Sequence, residues 1–285
     1  MRPDVAERAA VWSKHHHARG VLRRVLEVCS VAGIKALPVK GVLTAHRLYR
    51  DPSDRPIHDI DLRVRPRDLG PLLQAGTDAG FQVLEVSRAA HNLAFGVDGL
   101  MVEFEAHIGP RGLCDLQVET LLGRAIACED PYGFPHLEPE LHDHVLLLAI
   151  NAYKDKLVEA FPWAVRDLEL AGARDDFDPW RFAQLARASG VAALVWLVAD
   201  WLATTRGHEG WARVRTALDD APRARYRAMM RRALIDPGSL EGPLRRLVTR
   251  ALVRAASDRA SSQLTAVGVT LAWAVEGKVR ALAGR

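Results

Sequence analysis

LPVKGVLTAHRLYRDPSDRPIHDIDLRV, residues 37–64, decides how this chain is read. It opens on a short apolar run, turns at Lys40-Gly41, crosses a polar loop and ends in IHDIDLRV, where Asp59 and Asp61 are separated by one residue. In a strand, alternate side chains point to opposite faces, so Ile60, Leu62 and Val64 share one face while Asp59, Asp61 and Arg63 share the other. The apolar face must pack into a core. The acidic face looks into solvent or a cleft, with the two aspartate Cα atoms about 6–7 Å apart. Two anions this close repel unless a cation sits between them, and paired carboxylates suit a hard divalent ion such as Mg²⁺, or Mn²⁺. A bare Asp-x-Asp is more often a solvated strand face, so its surroundings decide.

Upstream, residues 7–32 have helical spacing, and Gly33 stands where a helix would stop. The pattern predicts a first strand over Ile34–Val39, a short helix over Val42–Tyr49, a loop over Arg50–Pro56 and a second strand over Ile57–Val64. Asp68 reads as the N-cap of a helix ending at Gly80. Phe81–Val86 follows as a third strand, and then a hairpin, His91–Val97 and Leu100–Ile108, joined by Asp98-Gly99, a dipeptide that favours a type I′ turn. In LMVEFEAHI, residues 100–108, Glu103, Glu105 and His107 lie opposite Val102, Phe104, Ala106 and Ile108. If this strand lies beside the second, a third carboxylate joins Asp59 and Asp61. Three acids on adjacent strands are what two-metal phosphoryl or nucleotidyl transfer requires. The turn at Lys40-Gly41 enters a helix, so its amides could cradle phosphate, with Gly41 permitting close approach and Lys40 adding a point charge.

From about Glu138 the texture changes to apolar residues three and four apart, which predicts an almost wholly helical second half. DPYGFPHLEP, residues 130–139, is the natural boundary, giving an α/β domain over 1–135 with its N-terminal helix and a helical domain over 136–285 that closes the cleft. The expected class is α+β. With 285 residues, 49% of them apolar, the chain can bury a sizeable core. No apolar run approaches the roughly 20 residues of a membrane span. The N-terminal MRPDVAERAA is charged where a signal peptide is apolar, and the three cysteines form no CxxC pair, so a cytoplasmic protein without a cysteine zinc site is expected.

The quoted stretch, followed by LLQAGTDAGF and MVEFEAHI, resembles the DNA polymerase β-type nucleotidyltransferase superfamily, and within it the group called uncharacterised nucleotidyltransferases, which read Lys-Gly, then Tyr and Asp-Pro, then Arg-Pro, then Asp-Ile-Asp. The segment LEPELHDHVLLLAINAYKDKLVEAFPWAVRDLELAG is similar to the helical region of that family, so the likeness spans roughly residues 20–200. It implies a metal-dependent enzyme that moves a nucleoside monophosphate from an NTP to an acceptor hydroxyl. Asp59, Asp61 and Glu103 would hold Mg²⁺, and Lys40, Gly41 and Arg55 would meet the triphosphate. The departures are Lys-Gly where the wider superfamily has Gly-Ser or Gly-Gly, and Glu105 where relatives carry a histidine two residues beyond the third acid. They leave Glu103 and Glu105 both open as the third ligand, with Glu103 favoured. The alternative is a catalytically inactive nucleotide- or partner-binding module of the same fold, for example a toxin–antitoxin component. Nothing selects the acceptor among a small molecule, a protein and tRNA, nor the base of the NTP.

Other residues are weighed against ordinary roles. Lys154 and Lys156, on the first helix of the second half, could reach phosphate but are also ordinary helix lysines. Asp167 reads as a cap or ion-pair residue. His142 and His144 diverge around a helix, as do His15, His16 and His17, so neither group is a good metal site. His58 is expected on the core face of its strand, whereas His107 shares the acidic face and could accept a proton. The arginine-rich segment from Arg213 to Arg254 reads as a solvated helical face before it reads as a polyanion site, since the net charge is only +4.

Overall fold

The structure is a computed structural model and describes residues 5–154, 162–220 and 256–283. The chain divides into two compact units, Met1–His107 with Gln117–Glu140, and Ile108–Leu116 with Leu141–Arg285. The fold is α+β, as expected.

The first unit opens with α1 (Val5–Val31). Its end is a Schellman turn: Gly33 has φ 69°, its N–H donates to Ser30 O (3.0 Å), and the Ile34 N–H donates to Cys29 O (2.8 Å). Then come β1 (Leu37–Val39), α2 (Gly41–Leu48), β2 (Asp59–Arg63), α3 (Leu69–Asp78), β3 (Gln82–Ser87), β4 (Asn92–Val97) and β5 (Leu100–Glu105). The sheet order is β1-β2-β5-β4-β3. β2 and β5 run parallel and the other pairs antiparallel. β1 is shorter than the predicted 34–39 because Ile34 is taken up by the turn, and Pro38, which lacks an N–H, is tolerated because β1 is an edge strand. The predicted hairpin is present, with Asp98 and Gly99 at φ 50° and 82°, the two positive values that a type I′ turn needs.

Ile60 and Leu62 from β2, Val64 just after it, and Val102 and Phe104 from β5 are fully buried in one cluster with Leu22 and Val25 of α1 and Phe95 of β4. The opposite face of β2 and β5 is left to the charged residues. After α4 (Val118–Arg124), two short strands, β6 (Ile126–Cys128) and β7 (His136–Glu138), pair with each other, the second of them inside the 130–139 stretch read as the boundary. Three-residue strands are too short to show a period of two.

The second unit carries α5 (Leu141–Lys154), α6 (Pro162–Gly172), α7 (Pro179–Ala188), α8 (Ala192–Arg206), α9 (Glu209–Ala217) and α10 (Ala260–Ala283). Buried side chains such as Leu146, Leu168, Phe182, Val195 and Trp211 form its core. No helix among the described residues is long and apolar enough to cross a membrane.

Candidate functional site

Two turns and two strands build the site. β2 and β5 lie side by side in parallel register, with Asp59 opposite Met101, Asp61 opposite Glu103 and Arg63 opposite Glu105. Register partners on neighbouring strands stand about 4.8 Å apart and project to the same face, so Asp59, Asp61 and Glu103 share one patch. Arg63 and Glu105 continue that face as an ion pair, with Arg63 only 1% exposed. The sequence pattern had placed Arg63 on this face without a role. Its partner depends on which strand lies beside β2, in a register that sets Arg63 opposite Glu105.

Lys40 follows Val39, the residue of β1 that pairs with Asp61. Its ammonium donates to Asp61 Oδ1 at 2.6 Å and lies 3.9 Å from Glu105 Oε2. Burial alone would lower its pKa, but the carboxylates of Asp61 and Glu105 outweigh this and hold the proton more tightly than in an ordinary lysine. Lys40 also sits at φ 55°, ψ −138°, as the N-cap of α2. That is a conformation side-chain-bearing residues rarely adopt and glycine adopts freely, the kind of strain that collects at functional sites.

Gly41 is where another group comes close. A Cβ there would stand 3.2 Å from Arg55 Nη1 and 3.4 Å from Ile57 Cγ2. The group admitted by the missing side chain in this structure is thus the Arg55 guanidinium, which donates to Pro56 O at 2.8 Å. Arg55 is held from behind by α1, where the His15 ring Nε2 lies 3.0 Å from Arg55 O. Arg8 holds the same loop through Asp51 (2.6 Å) and Asp54 (3.2 Å). These α1 contacts join residues at least 40 positions apart and leave no mark in local spacing.

Asp59 is half-buried, and its carboxyl is pushed above the usual range by burial and by the charge of Asp61, against the pull of Lys40, Arg55 and His58. A carboxyl raised in this way is short of positive charge. An all-oxygen set of Asp59, Asp61 and Glu103 fits a hard divalent cation by donor chemistry. Among the described residues, however, no three acid, histidine or cysteine side chains converge as a ready-made metal centre. At Asp61 the cation in contact is Lys40.

Several expectations change. His58 is exposed, not on the core face, because β2 begins at Asp59 and Ile57 is the buried residue before it. Asp68 precedes α3 as expected, but its carboxylate accepts from Arg65 Nε (2.7 Å) instead of capping the helix. His107 lies beyond the end of β5, its ring stacked on His91 with Nε2 3.0 Å from His91 Nδ1. His142 Nε2 accepts the Asp178 N–H (3.1 Å), and His144 and Asp167 are buried in the second unit. Lys154 is the last residue of α5 in that unit. Lys156 and most of the stretch from Arg213 to Arg254 lie outside the described residues; of the rest, Arg215 pairs with Asp200 at 3.3 Å.

No curated protein matches the chain. Two solved structures similar to it are of an antibiotic-resistance factor, ANT(2″)-Ia. The solution structure is 15% identical, covering 75% of this chain and 95% of that one at a TM-score of 0.42. The crystal structure in complex with adenylyl-2″-tobramycin is 15% identical, covering 72% and 98% at 0.44. At this distance they add nothing to the assignment of residues. The sequence itself is more specific: the family described as uncharacterised nucleotidyltransferase matches residues 6–207, a span holding the Lys40-Gly41 turn, Arg55, both aspartates and both glutamates, and the chain belongs to that family.

Proposed function

We propose that this protein transfers a nucleoside monophosphate from an NTP to an acceptor hydroxyl, releasing pyrophosphate. The observation that carries the reading is the register of β2 and β5, which sets Glu103 beside Asp61 on the strand face that also bears Asp59. On this reading Asp59, Asp61 and Glu103 would hold Mg²⁺ or Mn²⁺. The bound ions would supply charge stabilisation for the attacking and leaving oxygens. Arg55 and the amides at the start of α2 would meet the triphosphate, and Lys40 would add its charge there. With no nucleophilic side chain in the patch, the protein would act by positioning and electrostatics. The proposal is built on the first unit alone and leaves the acceptor open among a small molecule, a protein and tRNA. We place the reaction in the cytoplasm, where NTPs are supplied and where free Cys29, Cys114 and Cys128 are in keeping with a reducing compartment.

One observation favours a second reading, a nucleotide- or partner-binding module without catalysis: Lys40 already neutralises Asp61. One experiment separates the two. The purified protein is incubated with each α-³²P-labelled NTP, Mg²⁺ or Mn²⁺, and a lysate of the source organism, beside an Asp59→Ala/Asp61→Ala variant. Label transferred by the wild type only supports nucleotidyl transfer and identifies donor and acceptor class. No transfer under any condition by a folded protein moves the assignment to the module.

A further inference from the structure

Lys40 stands where a phosphate-binding lysine would not be expected to rest. Its ammonium lies at 2.6 Å from Asp61 Oδ1 and 3.9 Å from Glu105 Oε2, and the side chains of Lys40 and Asp61 are only 12% and 6% exposed. The sequence places a bulky cation at a backbone position, φ 55° and ψ −138°, that glycine would occupy without strain. We propose that the Lys40 ammonium is a resident cation of the carboxylate patch, occupying the approach to Asp61, so that a divalent ion reaches Asp61 only when Lys40 leaves it.

This rests on the reading of Asp59 and Asp61 as the metal-binding pair. An ammonium and a divalent ion compete for the same carboxylate in a partly dry site, because their repulsion is weakly screened there. The free protein therefore binds divalent ions weakly at Asp61. A triphosphate offers Lys40 a new anionic partner, so ion and nucleotide enter together.

The test is Mn²⁺ binding to the full chain without nucleotide, followed by electron paramagnetic resonance of the free ion. Lys40→Gly removes the charge and relaxes the backbone, and Lys40→Met removes the charge while keeping the length. Circular dichroism verifies that each is folded. Both should bind Mn²⁺ about tenfold or more tightly than wild type, given a unit charge removed at contact distance. Lys40→Arg should remain weak, and Asp61→Asn should cancel the gain when added to Lys40→Gly. If folded Lys40→Gly and Lys40→Met bind Mn²⁺ no better than wild type while Asp61→Asn weakens binding, the resident-cation inference is overturned and the metal-site reading stands. If Asp61→Asn changes binding in neither background, the metal-site reading itself fails.

Discussion

Gly41 shows how little room the turn leaves. A methyl group there would press on Arg55 Nη1 at 3.2 Å, tighter than an ordinary contact, and would meet Ile57 Cγ2 at 3.4 Å, an ordinary one. Alanine is a better helix former than glycine by about 1 kcal/mol, and Gly41 is the first residue of α2, so the fold gains a little while the guanidinium must shift. Gly41→Ala is therefore expected to leave the unfolding free energy from urea denaturation within about 0.5 kcal/mol of wild type while weakening NTP binding about 3- to 10-fold. Isothermal titration with each NTP measures it, and unchanged affinity would detach Arg55 from the triphosphate. Much of this patch was legible residue by residue. Alternation alone put Asp59 and Asp61 on one face and Ile60 and Leu62 on the other, because β2 is amphipathic. The ion pairs were not legible, because Lys40 with Asp61 and Arg63 with Glu105 depend on which strands are neighbours, and a sequence period carries no pairing. His58 was misread because alternation was extended one residue beyond the strand.

Two connections of α1 show what an element does beyond filling the core. Arg8 reaches Asp51 and Asp54, and His15 reaches the Arg55 carbonyl, so the helix holds the loop that carries Arg55. The side chains of Arg8, Asp51 and Asp54 are each more than a third exposed, so the ion pairs are screened and Arg8→Ala should cost no more than about 1 kcal/mol of stability. Its effect should appear instead in transfer, down about 3- to 10-fold, since small displacements of a positioning group weaken catalysis more than folding. Equal transfer by wild type and variant would make the clasp purely structural. The end of the helix offers a second measurement. Gly33 holds φ 69° with open space where an added methyl would point, so Gly33→Ala isolates the backbone cost, about 1 kcal/mol, readable as a shift in thermal or urea midpoint. Gly33 and Gly80 were both legible as stops because glycine is the residue that such turns demand. α1's grip on the loop was not, since it joins residues at least 40 positions apart.

Across the whole molecule, the change to helical spacing after Glu138 was legible as a class, whereas the excursion of Ile108–Leu116 into the second unit was not. Those nine residues contain no regular element whose period could have assigned them. A property of the entire fold follows from a buried ring cluster in the first unit. His46 packs against His15 at 5.5 Å and Tyr132 at 5.4 Å. Burial first, then the neighbouring charges of His15 and Arg19, press its pKa from 6.5 to about 4, while Glu138 works in the opposite direction. His15 is lowered as well, chiefly by burial. His136, beside Tyr132, is held above its ordinary value by Glu138 and the Phe134 carbonyl in spite of burial, and so acts oppositely. For His46 the folded state binds fewer protons than the unfolded chain between these values. Its stabilising contribution is complete above pH 6.5 and is lost as the pH falls towards 4. Allowing for solvent screening, the loss is on the order of 1–2 kcal/mol. His46→Phe keeps an aromatic ring without the titration, so urea denaturation at pH 7, 5.5 and 4.5 should show a shallower fall for the variant than for wild type. Parallel curves would mean that acid sensitivity arises elsewhere in the molecule, and an advantage of wild type that grew on acidification would reverse the sign assigned to His46.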